Sequence, residues 1–215
     1  NVAFGNTGIA GNLNVALSRM SALGAVTLTI PGPKMIWHFG ELGMDNSIFT
    51  CNDGTVNEPG GTDGDCKLDT KPQPQWAENW LGDTNRSQIY DDWSRLNALK
   101  INEDVFELQY AINSGSLTPR IYVYDEFNVL PSNALKNVVI LANFNTTAQN
   151  IIPDFPYTGN WYDLMDETGS TSINVTNTSA TINLQPGEFR IYGNQPSTLS
   201  NEEFNPIDTI TLFPN

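Results

Sequence analysis

Cationic side chains are scarce in this chain. Ten Lys and Arg stand against 24 Asp and Glu, giving a formal net charge of -14 at pH 7 and a pI near 4.2. That deficit opposes binding to nucleic acid or to an anionic membrane, where affinity comes from Lys and Arg neutralising phosphate; a neutral substrate or partner fits better. No apolar run reaches the ~18 residues a membrane-spanning helix needs, and no signal-peptide pattern stands at the N-terminus. His38 is the single histidine, so a triad has no visible second member. Glycine-rich phosphate loops, a nucleophile elbow and zinc-ligand spacings are all missing.

What is present is a chain of 215 residues, 39% hydrophobic, long enough for one large domain or two small ones. It opens on Asn1 rather than Met and reads as part of a longer protein. The only two cysteines, Cys51 and Cys66, bracket a loop rich in Gly, Asp and Asn. In a secreted protein that spacing suits a local disulfide, and closing about 15 residues stabilises by roughly 3 kcal/mol in the chain-entropy account. Low lysine content, many Asn and Thr, and acidity favour export.

Leu13, Ala16, Leu17, Met20, Leu23 and Gly24 recur at three and four residues, which predicts a helix with one buried face. A Pro31-Gly32-Pro33 turn leads into Met35–Phe39, a short apolar run bounded by turn residues, as expected of a strand buried in a parallel sheet. Residues 47–75 read as loop, with Asp-Gly, Pro-Gly-Gly, Pro72 and Pro74. Ile89, Trp93, Leu96 and Lys100 form a stripe that predicts a second helix from about Thr84 to Lys100, with Asp83 as its cap. Past Phe106 the period becomes two: 120–124, 138–144, 172–176, 180–184 and 188–192 read as short strands of an all-β module.

The stretch from Ala25 to Asp45 resembles the eighth strand of the barrel in the α-amylase family, glycoside hydrolase family 13. The later pieces Ala142-Asn143-Phe144, Thr158-Gly159-Asn160-Trp161-Tyr162-Asp163-Leu164 and Leu184-Gln185-Pro186-Gly187-Glu188-Phe189-Arg190-Ile191-Tyr192 resemble that family's C-terminal domain. The resemblance covers about residues 12 to 193. It implies an α/β plus all-β chain: 1–107 as the last helix-strand-helix portion of a (β/α)8 barrel, 108–193 as an antiparallel β-sandwich, and 194–215 as a linker. The ending Ile210-Thr-Leu-Phe-Pro-Asn215 resembles the start of the sorting domain on exported proteins of Bacteroidetes-type bacteria.

By the same resemblance the protein is part of a secreted or cell-surface retaining glycosidase that acts as a monomer on starch or related α-glucans. The family's three catalytic carboxylates fall on barrel strands upstream of this sequence, so no residue here is assigned as catalytic and the piece alone should be inactive. A free-standing carbohydrate-binding or cell-surface β-sandwich module without catalysis is the competing reading. Glu41 and Asp45 follow the C-terminal end of the expected strand, where barrels place their chemistry. Glu41 either fastens its loop or lines the substrate cleft, and His38 either bonds a backbone group or touches substrate; Glu41, His38 and Asp45 are the candidate substrate-binding residues. Asp53, Asp63, Asp65 and Asp69 raise the question of calcium, but their spacing departs from an EF-hand loop. No metal or cofactor is expected in this piece, and a calcium requirement is left open for the parent enzyme. Trp93 and Trp161 are expected in the core, with Trp76 and Trp80 undecided between core and sugar platform.

Overall fold

A computed structural model describes residues 12–45 and 78–201. Cys51, Cys66, the acidic loop from Asp53 to Asp69, Trp76 and the tail from 202 onward lie outside them.

The first helical stretch is not one helix but two, α1 (Leu13–Leu17) and α2 (Met20–Leu28). Two side chains compete for the carbonyl that would carry the helix through: Val15 O accepts from Ser18 Oγ at 2.9 Å and from Arg19 Nη1 at 2.6 Å. Such local bonds offer the backbone an alternative to the helical ladder, and the chain steps aside at Ser18–Arg19. Asn12 caps α1 by accepting from Val15 N.

The long helix α3 (Thr84–Asn102) follows its sequence closely. Asp83 caps it, accepting from the N–H groups of Asn85 and Arg86 at 2.9 and 3.1 Å. Arg86, Ile89, Trp93, Leu96 and Leu99 make its buried stripe. α2 approaches closely because Gly24 has no side chain: a Cβ there would overlap the Trp93 indole, whose Nε1 donates to Met20 O at 2.8 Å.

Between α2 and α3 the strand expected over Met35–Phe39 is not formed. Residues 33–37 have no regular structure, and Met35 and Trp37 are 83% and 58% exposed. A parallel strand is stable only with neighbours along its edges and helices over its faces, and no strand among the described residues pairs with this one. The chain then reverses at His38 and Phe39, both at positive φ (35° and 62°), into a 3-10 turn over Gly40–Leu42.

The rest is antiparallel β. Strands β1 (Gln109–Asn113), β2 (Arg120–Tyr124), β3 (Asn137–Ala142), β5 (Gly159–Asp163), β6 (Ser172–Val175) and β8 (Phe189–Gly193) form a six-stranded sheet in the order β1-β2-β3-β8-β5-β6. β4 (Gln149–Ile151) and β7 (Ile182–Leu184) pair as a separate two-stranded ribbon. Side chains alternate across the large sheet. Ile121, Val123, Val138, Ile140 and Ile191 face the helices and share one core with Ile89, Leu96, Leu99 and Phe106. Val139, Leu141, Trp161 and Tyr192 face the other way, onto Ile151 and Leu184 of the ribbon. β3 is covered on both faces, which explains its unbroken apolar run. The mixed first part and the β part are thus layers over a common sheet.

One further tie crosses these layers. Glu103, buried at the end of α3, accepts from Ser197 Oγ (2.8 Å), Thr198 N (2.6 Å) and Thr198 Oγ1 (3.0 Å), holding the segment after β8 against the helix.

Candidate functional site

A cavity of about 400 Å3 opens where the reversing loop meets α3. The loop contributes Ile36, His38, Phe39 and Glu41, and the helix contributes Tyr90, Trp93, Ser94 and Asn97. Its size suits a small ligand, and its lining mixes aromatic faces with a carboxylate, a hydroxyl, an amide and an imidazole. The two left-handed residues create the site, because turning the backbone at His38 and Phe39 sends Glu41 back toward α3. Such conformations cost of order 1–3 kcal/mol each for residues other than glycine, so the surroundings must enforce them.

Of the three residues singled out from sequence, His38 and Glu41 come together in this cavity. His38 Nε2 is buried and has no hydrogen-bond partner among the described residues. A buried, unbonded ring nitrogen carries a desolvation cost that a ligand hydroxyl can relieve. Asp45 does not join them. It pairs with Arg86, Nη2 to Oδ1 at 2.8 Å, outside the cavity.

Arg86 is the residue that sequence reasoning passed over. Its guanidinium is buried, donates Nη1 to Leu42 O at 2.8 Å and Gly43 O at 2.6 Å, and lies 4.3 Å above the Trp80 ring. It thereby fastens the carbonyl end of the turn that carries Glu41. A signal existed: Arg86 stands three and seven residues before Ile89 and Trp93, on the buried stripe, where a charge needs partners. Trp80 is buried beneath it, with its indole N–H on Glu78. Trp161 is fully buried, as expected, whereas Trp93 serves both the core and the cavity wall.

No protein-family model matches the sequence, and no curated protein matches it. Solved structures do match the fold. AmyP in complex with maltotriose aligns over 84% of this chain and 35% of its own length, with a TM-score of 0.60 at 13% identity. The pullulanase from Bacillus acidopullulyticus aligns over 82% of this chain and 20% of its own, with a TM-score of 0.55 at 13% identity. The type I pullulanase of Bacillus subtilis, complexed with maltose, aligns over 86% and 24%, at 0.55 and 15%. The chain therefore spans between 20% and 35% of the length of these three enzymes. What it has in common with the C-terminal part of these α-amylase and pullulanase enzymes is a fold, helices against an antiparallel sheet.

Proposed function

We propose that this chain is the C-terminal portion of a secreted, α-amylase-like glycoside hydrolase acting on starch or related α-glucans by a retaining mechanism. In this reading residues 1–107 complete a (β/α)8 barrel and the β layers brace it. The observation that carries the reading is the uncovered apolar segment at Met35–Trp37, flanked by two helices that pack on each other and followed directly by the His38–Glu41 cavity. Leaving a side chain such as Met35, 83% exposed, in water forgoes about 1.5–3 kcal/mol. Neighbouring barrel strands would cover the segment and pair its backbone, drawing it into the missing strand. The fold likeness to an amylase and two pullulanases supports the same assignment.

In that setting the cavity belongs to the face of the barrel where loops meet substrate. His38 Nε2 and Glu41 offer hydrogen bonds to sugar hydroxyls, and Tyr90 and Trp93 give apolar walls for ring faces. The nucleophile and the acid/base, the carboxyl pair about 5 Å apart that retention requires, would come from upstream strands.

The experiment compares the 215-residue chain with the parent protein on soluble starch, following reducing ends and, by NMR, the anomer first released. Expected are hydrolysis with the α-anomer retained by the parent and no release above blank by the chain. Release by the chain alone that Glu41→Gln abolishes would overturn the reading and make Glu41 catalytic. A parent inert toward every α-glucan tried would overturn it too.

A further inference from the structure

A second cavity, of about 330 Å3, lies on a different side of the molecule, where the break between α1 and α2 and the first half of α3 meet the ends of β5 and β8. We infer that it is a separate binding site for one or two glucosyl units of an α-glucan. The choice of sugar rests on the function proposed above; the site itself rests on the lining.

That lining is arranged like a hydroxyl-binding site. The helices present Ser21, Asn85, Gln88 and Asp92, and the sheet ends present Asp163 and Arg190. Leu17, Met165 and Phe189 form an apolar wall. Donors and acceptors therefore surround a face suited to the C–H side of a pyranose ring. The side chains are also held in place. Gln88 Nε2 donates to Asp92 Oδ1 at 3.0 Å, Asp163 Oδ1 accepts from Met165 N at 3.0 Å, and Arg190 is ion-paired with Glu188. Each carboxylate keeps acceptor capacity beyond these bonds.

The walls are preformed because the two layers are locked together here. Gly187, at φ 80°, brings the turn before β8 so near the helix break that a Cβ would stand 2.5 Å from Ser18 O. Arg19 Nη2 adds a bond to Asn145 O at 3.0 Å. Burial also pushes the Asp92 carboxyl above the usual carboxylate range, against opposing hydrogen bonds from Ser21 and Gln88. That carboxyl therefore lies in a partly desolvated place where a ligand hydroxyl is worth more than in water.

Other ligand classes fit less well. Asp92, Asp163 and Glu188 against one Arg190 repel an anion. A divalent cation wants acceptors alone, and no group of three metal-ligating side chains occurs among the described residues. A neutral polyol uses both the amide and guanidinium donors and the carboxylate acceptors.

The test is a titration of the full chain, followed by assigned backbone amide resonances, with maltotriose as the probe and cellotriose as its β-linked counterpart. Expected is saturable perturbation by maltotriose at Ser21, Gln88, Gly187 and Arg190. Asp92→Asn, which preserves shape, should weaken it about tenfold, as loss of a hydrogen bond to a charged group predicts. Gln88→Ala, at the helix surface, is the second variant should the first disturb the fold. Perturbation confined to His38, Glu41 and Tyr90 would overturn this site while leaving the proposed function standing. Equal response to cellotriose, or none to either sugar at these amides, would overturn the inference; starch hydrolysis by the parent judges the function separately.

Discussion

Replacing Arg86 by Met keeps most of the side-chain stem but removes the guanidinium that holds the Glu41 turn. Two backbone carbonyls, Leu42 O and Gly43 O, lose their bonds from Nη1. Stranding a buried acceptor costs about 1–3 kcal/mol, and loss of the stacking on Trp80 adds roughly 0.5–2 kcal/mol. The ion pair to Asp45 contributes less, because the Asp45 side chain is 41% exposed and solvent-screened pairs are worth at most about 1 kcal/mol. Desolvation of the guanidinium, which Met avoids, offsets part of the sum. The net expectation is a loss of about 3 kcal/mol for Arg86→Met and under about 1 kcal/mol for Asp45→Asn. Urea unfolding of each variant with an unchanged m-value measures both, and under the function proposed above the same Arg86 change in the parent protein should raise KM for starch as the cavity loop loosens. Equal losses for the two variants, or an Arg86→Met protein within about 0.5 kcal/mol of wild type, would refute the idea that the clamp on the carbonyls dominates.

Gly24→Ala should destabilise by about 1–3 kcal/mol through overpacking against Trp93, with altered tryptophan fluorescence; a melt unchanged from wild type would contradict the close approach of α2 and α3. Hydrogen bonds from Thr168 and Thr171 hold the Asp166 carboxyl well below the usual carboxylate range. A group with a depressed folded-state pKa stabilises above its unfolded value and loses that contribution as pH falls, so the turn at Asp166 should weaken below about pH 4, and Asp166→Asn should flatten this acid limb in pH-dependent melts. Mass spectrometry without reductant should find Cys51 and Cys66 joined, with no alkylatable thiol.

The legibility of the chain in its sequence followed how local each cause is. α3 was readable because its cap, Asp83, and its stripe, Ile89 to Leu96, lie within one segment. β2, β3 and β8 were readable from alternating or continuous apolar runs that the sheet then covers. β1, β4 and β5 were not, because Gln109–Asn113 lies at an exposed edge, Gln149–Ile151 is three residues long, and Gly159–Asp163 is built from turn-forming residues around a single buried Trp161. The Met35–Phe39 run has the composition of a buried strand, but a strand is a property of its neighbours as much as of its own residues. Pairing the site residues depended on two backbone reversals at His38 and Phe39, neither of which their side chains announce. For Arg86 the buried stripe marks a charge in need of partners, but two of those partners, Leu42 O and Gly43 O, are backbone carbonyls that no residue type encodes.

The bond set at Glu103 changes where this protein can be cut or fused. By secondary structure alone, Gly193 ends the last strand and invites a boundary there. A chain trimmed at that point would leave a buried carboxylate at the foot of α3 without the hydroxyls and N–H of Ser197 and Thr198. The damage would fall on the helical layer, far along the sequence from the deletion. Residues 194–199 therefore behave as a strap returning from the sheet, and a tag or partner domain is best joined beyond them.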